Sequence, residues 1–289
     1  MCIRDRADTA GIRVGRQVMD MPIFAEQVVR YAGERIAAVA ADSLDIALAA
    51  IDLIDVQYEP LPGVFDIDSA VAAGAPILHP AINSYVGLRS PLDEPSNVHI
   101  RTCWSYGDIG KGFDSAHRVV EGWYETARMH QAYMEPHACL VWLDAQSRVH
   151  VVASNKAPYR VRRNLATSLG LKPEDFVFHP NAIGGDFGGK APIMDIPVAY
   201  FLSRSAARPV RMAMTYAEEL TAAGPRPGAR IHMKSGLNEH GEIVAHHARV
   251  FFNGGAYAGN RQSSIGDLPA SRGAVGPYRC LLYTSPSPR

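Results

Sequence analysis

Val161, Leu165 and Leu169 recur four residues apart, which lines one face of a helix with apolar side chains. Pro158 suits the first turn of that helix and Gly170 its stop, so the pattern predicts a helix over 158–169. Around it, apolar runs bounded by turn residues predict strands at 118–126, 149–153, 176–178 and 209–214. A second helix is expected over 192–205, bent at Pro197. The segments 230–236 and 242–252 read as a hairpin across Asn238-Glu239-His240-Gly241. Nearer the start, 35–40 predicts a strand, and Asp42-Ser43 can cap a helix over 44–54. A strand at 56–58 follows, stopped by Pro60 and Pro62. Asp68 or Ser69 could then cap a short helix that Gly74 ends. Residues 79–112 are dense in Pro, Asn, Ser and Gly with little periodicity, and read as a connector.

At 289 residues the chain has room for two ordinary domains. Basic and acidic residues balance at 29 each and the basic ones are scattered, so no nucleic-acid surface is implied. The longest apolar run, 46–54, is broken by Asp52 and is far too short for a membrane span. No signal peptide is visible. Residues 1–6 and 280–289 resemble translated sequencing-adapter tails and are expected to be artefacts. Without them, only Cys103 and Cys139 remain of four cysteines, which fits a reducing, cytoplasmic compartment, with the periplasm as the alternative.

The strongest chemical signal is Gly184-Gly185-Asp186-Phe187-Gly188-Gly189-Lys190. Glycines bury no side chain and cost backbone entropy, so four in six positions point to a backbone that must bend or approach a ligand. A run of N–H donors ahead of a helix start is an anion site. The segment satisfies the letter of the phosphate pattern GxxxxGK, but Ala191 stands where magnesium chemistry needs Ser or Thr. Five residues, including Pro180, also separate the loop from the strand at 176–178, and GxGxxG is absent. A purely structural glycine turn remains the plain alternative.

The loop resembles the GGxFGGK segment of the molybdenum-binding large subunit of the xanthine dehydrogenase, aldehyde oxidase and aerobic carbon monoxide dehydrogenase-like family. Further segments carry the resemblance in order over roughly 18–279. Residues 28–61 resemble the small domain that opens this subunit, and Tyr133-Met134-Glu135-Pro136-His137-Ala138 resembles its YxEPHA segment. Ser154-Asn155-Lys156-Ala157-Pro158 with Val161-Arg162-Arg163, then Ala207-Arg208-Pro209-Val210-Arg211 and Gly254-Gly255-Ala256-Tyr257-Ala258, match later motifs. The resemblance implies an α+β class: a small α/β hammerhead-type domain at 7–78, the connector at 79–112, and the first part of a mixed α/β molybdopterin-binding domain at 113–279. It implies a molybdenum–molybdopterin cofactor, expected in its cytosine dinucleotide form. Partners implied are an iron–sulfur small subunit carrying [2Fe-2S] clusters and an FAD-binding medium subunit, since this chain has neither a cluster pattern nor a dinucleotide loop. The reaction implied is water-derived hydroxylation of an aldehyde, N-heterocycle or similar small molecule. Its general-base glutamate lies toward the family's C-terminus, so no catalytic residue is assigned here and the chain alone is expected to be inactive. A non-catalytic binding module and a molybdenum-dependent reductase of an aromatic thioester are the alternatives.

By the same resemblance, Gly185, Phe187, Gly188 and Gly189 approach the cofactor through their backbone, with the Phe187 side chain anchoring the loop. Gln131 lies near the family's glutamine that bonds a molybdenum oxygen, although its spacing to Tyr133 differs from that of the purine enzymes. Asp186 reads as turn chemistry. Lys190 either pairs with a cofactor phosphate or is solvated. Ala191 replaces a glutamate of xanthine-oxidising members, which argues against xanthine as substrate. Glu135 and His137 read as a strand end tied by hydrogen bonds rather than as metal ligands. His246 and His247 fall on opposite faces of a strand.

Overall fold

The computed structural model describes residues 2–16, 18–88, 90–259, 273, 274, 276 and 283–288. Along the chain come β1 (Cys2–Asp5), β2 (Arg13–Val14), β3 (Met21–Pro22), β4 (Ala37–Ala40), α1 (Leu44–Ile51) and α2 (Ile67–Val71). Then follow β5 (Arg101–Tyr106), α3 (Ile109–Asp114), β6 (Arg118–Thr126), β7 (Ala138–Leu143), β8 (Val149–Ala153), α4 (Pro158–Leu169) and β9 (Phe176–Phe178). The last elements are α5 (Ile196–Ala206), β10 (Val210–Ala213), α6 (Tyr216–Ala222), β11 (Ala229–Leu237), β12 (Ile243–Phe252) and β13 (Tyr283–Pro288). Helices and mostly antiparallel strands mix in an α+β fold, divided into two compact units.

The first unit gathers residues 1–61, 130–225 and 256–262. Its main sheet has the order β10-β7-β8-β9, antiparallel except for the parallel β8–β9 pair. Alternation along β7 and β8 sends Val141, Val149 and Val151 to one face, where they meet Val161 and Leu165 of α4 and Val198 and Leu202 of α5. Val14 and Phe24 from the N-terminal segment join the same core. On the other face, the cross-strand partners Trp142 and His150 lie parallel with their ring centres 4.9 Å apart. His179, just past β9, lies parallel to both. His150 links Asp144 at 3.0 Å to His179 at 2.9 Å. Two small antiparallel pairs, β1–β4 and β2–β3, complete the unit.

The second unit comprises 62–129, 226–255 and 263–289. Its sheet runs β5-β13-β12-β11-β6, with the long β11–β12 hairpin at its centre. Helix α3 packs on β12, and Gly236 of β11 lies against Phe113 and Ala116. β6 forms an edge and leaves Val119, Val120, Trp123 and Tyr124 half-exposed. The segments read as tails thus supply strand backbone in both units, a pairing that depends on extended backbone rather than on side-chain identity.

Several local expectations are corrected. Residues 56–58 form no strand: they have no ladder partner, and Val56 and Tyr58 are exposed. Helix α1 stops at Ile51, before Asp52. The cap of α2 is Asp66, whose side chain accepts from the Ser69 N–H at 2.8 Å, so Ser69 is the third helical residue. The connector contains β5 and the start of α3. Helix α5 begins at Ile196, which puts Pro197 in the first turn, where its missing N–H breaks no helical bond, instead of at a bend.

Candidate cofactor site

The glycine loop leaves β9 through His179-Pro180 and crosses the segment that enters β7, all within the first unit. Tyr133, Glu135 and His137 of that segment form its floor. The Glu135 carboxylate accepts the Gly184 N–H, and Lys190 Nζ lies 3.2 Å from the same carboxylate. Lys190 is 0% exposed, so the solvated reading of this residue is overturned. Its ammonium also sits 5.1 Å from the centre of the Tyr133 ring, a favourable cation–π distance.

Asp186 closes the turn. Its carboxylate accepts the N–H groups of Gly188 at 3.0 Å and Lys190 at 2.6 Å, while its carbonyl accepts that of Gly189 at 2.7 Å. Lys156 approaches the carboxylate at 2.5 Å. Burial works against the Asp186 charge, but Lys156 and the two backbone donors outweigh it and hold the carboxyl below its ordinary range. Asp186 is therefore turn chemistry, as its residue type suggests.

Two glycines have specific geometric reasons. Gly188 has φ +97°, which L side chains rarely adopt, and a Cβ on Gly189 would overlap the Tyr133 ring. Phe187 takes φ +42° and its side chain is 62% exposed, so it does not anchor the loop in the core of this unit. The Gly188 and Gly189 N–H groups point inward to Asp186. Gly185 is exposed, and its N–H makes no hydrogen bond among the described residues.

Gln131 lies on the same entering segment, where its Nε2 donates to the Gly224 carbonyl at 3.2 Å. Its Oε1 is buried without a hydrogen bond, as are Lys190 Nζ, His137 Nε2 and His130 Nε2. Lys190 Nζ is nevertheless ion-paired with Glu135, so Gln131 Oε1 and the Nε2 atoms of His130 and His137 are the buried polar atoms left open along this segment.

Sequence reasoning missed Glu219, in the short helix that follows β10. Helix α6 starts at Thr215, which forms a capping box with Glu218. The next residue, Glu219, is 0% exposed. It accepts from the Tyr133 hydroxyl, from the His137 backbone N–H at 2.6 Å and from His137 Nδ1 at 2.8 Å. Burial opposes its ionisation, but the bonds from His137 and Tyr133 overcome this and hold its carboxyl down at about 2. Facing this carboxylate, His137 carries its proton on Nδ1. The available signal was a second glutamate directly after the capping glutamate.

This α+β unit thus presents a glycine loop over a floor of Tyr133, Glu135 and His137, with Lys190 and Glu219 enclosed beneath it. Residues 92–283 match the molybdopterin cofactor-binding domain, and residues 3–62 match the a/b hammerhead domain of aldehyde oxidase and xanthine dehydrogenase. The chain belongs to the molybdenum hydroxylase large-subunit family of the xanthine dehydrogenases and aldehyde oxidases. It is 30% identical over 273 residues to a probable xanthine dehydrogenase subunit of Bacillus subtilis, covering 94% of this chain and 34% of that protein. It is 29% identical over 269 residues to the nicotinate dehydrogenase large molybdopterin subunit of Eubacterium barkeri, covering 92% of this chain and 59% of the relative. The fold matches quinoline 2-oxidoreductase from Pseudomonas putida 86 with a TM-score of 0.83 at 24% identity, over 100% of this chain and 36% of that one. The chain thus spans from about a third to somewhat over half the length of these proteins. No helix among the described residues is long and apolar enough to cross a membrane.

Proposed function

We propose that this chain is the N-terminal part of a molybdenum hydroxylase large subunit and that its glycine loop forms one wall of the molybdopterin site. The observation that carries this reading is the loop itself: an exposed backbone with an open N–H at Gly185, Phe187 held at positive φ, and a floor whose charges are internally paired. These residues fit a flat, anionic ligand. An exposed N–H can donate to it, small residues let it approach, and the Asp186 charge that would repel it is neutralised by Lys156. When bound, the molybdenum and its pterin would supply two-electron redox chemistry, with oxygen taken from water. The chain contributes binding and orientation. Gly185, Phe187, Gly188 and Gly189 shape the wall, and Gln131 lies on the floor segment with an open acceptor.

The name of the nicotinate dehydrogenase relative supports an N-heterocycle as substrate class, with an aldehyde as the second reading. The cytosine dinucleotide form of the cofactor, separate iron–sulfur and FAD-binding subunits and a cytoplasmic location belong to the same proposal. The test is the molybdenum content of the polypeptide, continued to the length of its relatives and purified from a host that makes molybdopterin. The expected outcome is close to one molybdenum per chain, with a clear drop in Gly189→Ala, whose Cβ would meet the buried Tyr133 ring and displace the loop. A folded wild-type protein without molybdenum, from cells whose own molybdenum enzymes are loaded, would overturn the reading.

A further inference from the structure

Below the loop lies a buried network that the family match leaves without a role. Tyr133, 1% exposed, is its centre: the ring supports Gly189 from beneath, and the ammonium of Lys190 rests against its face. The Tyr133 hydroxyl ends on Glu219, which lies 86 residues further along the chain. Glu219 in turn fixes His137 by two different donors, its backbone N–H and its Nδ1. Tyr133 and His137 mark the two ends of the floor, and Glu135 between them holds the Gly184 N–H. One carboxylate therefore reaches both ends of the floor on which the loop rests.

We propose that Glu219 is a positioning residue for the cofactor loop, setting the direction of the loop amides through Tyr133 without touching the ligand. The geometry excludes direct contact in this arrangement, because the carboxylate is fully enclosed and its acceptor sites are filled by Tyr133 and His137. Its effect is transmitted by the ring. With Glu219 in place, the Tyr133 hydroxyl is held and the ring edge stays where only a glycine fits at 189. Without it, the hydroxyl loses its charged acceptor and keeps only the long contact to His137 Nδ1 at 3.5 Å, so the ring is no longer held against Gly189 and Lys190. The relevance to catalysis rests on the reading that the loop holds molybdopterin; the mechanical coupling does not.

The test uses Glu219→Ala and the milder Tyr133→Phe, which removes one hydroxyl and leaves the ring volume intact. Glu218→Ala is the control: it breaks the capping box of α6 and weakens the same helix without contact to Tyr133. Glycine-selective ¹⁵N labelling of the 289-residue chain reads the loop amides directly, with no ligand needed. Glu219→Ala and Tyr133→Phe are expected to shift the Gly188 and Gly189 amide signals, while Glu218→Ala lowers the melting temperature and leaves those signals in place. In the longer, cofactor-loaded polypeptide, the first two variants are expected to retain about tenfold less molybdenum than wild type, the cost typical of losing a group that orients a site from behind. If Glu219→Ala does not fold, Tyr133→Phe decides alone. Unshifted loop amides in folded Tyr133→Phe overturn the proposal, as does an equal shift in Glu218→Ala. Shifted amides in a wild-type background that never carries molybdenum would sink the cofactor reading and leave the positioning role standing.

Discussion

Two buried carboxylates in the first unit respond to pH with opposite sign. Asp20 is 3% exposed and accepts the N–H groups of Ala258 at 2.6 Å and Gly259 at 2.8 Å. Burial is the larger effect and pushes its carboxyl up to about 6 despite those donors. A raised acid favours the folded state when protonated. Its contribution is therefore complete below about pH 4 and is lost as pH rises through 6, on the order of 3 kcal/mol for the shift involved. Glu219, held down at about 2, behaves oppositely: its contribution is complete above about pH 4.5 and lost as pH falls through 2. Urea titrations from pH 3 to 7 should show Asp20→Asn gaining on wild type as pH rises toward 7. A wild-type-to-variant difference that stays constant over that range would contradict the Asp20 assignment. At Gly189, alanine should cost about 1–3 kcal/mol, the range for overpacking a filled site, because the added methyl meets the Tyr133 ring.

At the scale of elements, α4 and α6 make a contrast. Leu165 of α4 is fully buried between sheet and helix, so Leu165→Ala should cost about 2–5 kcal/mol in denaturant unfolding, whereas Thr215→Ala at the α6 cap should cost about 1 kcal/mol. The same contrast explains what was readable beforehand. The spacing of Val161, Leu165 and Leu169 and the Pro158 and Gly170 boundaries located α4 with its observed ends, and the strands at 118–126, 149–153 and 176–178 matched as well. α6 is only seven residues long and its inward face is a glutamate, so hydrophobic periodicity had nothing to register. The run 56–58 has strand composition, but pairing is decided by a neighbouring edge that composition does not reveal. For the candidate site, the glycine loop and the floor motif at 133–137 were visible as motifs. The burial of Lys190 and the link from Tyr133 to Glu219 depend on tertiary contacts between segments some 50 to 86 residues apart, which no local pattern encodes.

For the whole molecule, the most consequential surface is α1. Leu44, Ile46, Leu48 and Ile51 are all exposed, from 46% to 71%, while Ala50 is the one buried residue of the helix. Leu44, Leu48 and Ile51 follow one another along one face of the helix, and an exposed apolar stripe of this kind favours association. Light scattering on the 289-residue chain should show concentration-dependent self-association, and Leu44→Glu combined with Leu48→Lys should suppress it without changing the circular dichroism spectrum. A chain that is monomeric at every concentration would mean that this surface is inert.

The parallel rings of Trp142, His150 and His179 have a practical consequence. The chain has three tryptophans, and Trp142 is the one that belongs to the first unit. An imidazole lying flat on an indole alters its emission, and His179 is the residue from which the chain sets out toward the glycine loop. The fold thus carries an optical gauge at the root of the cofactor wall. Light emitted by Trp142 should brighten or dim whenever that root shifts, which makes loop movement visible in a cuvette before any ligand or label is added.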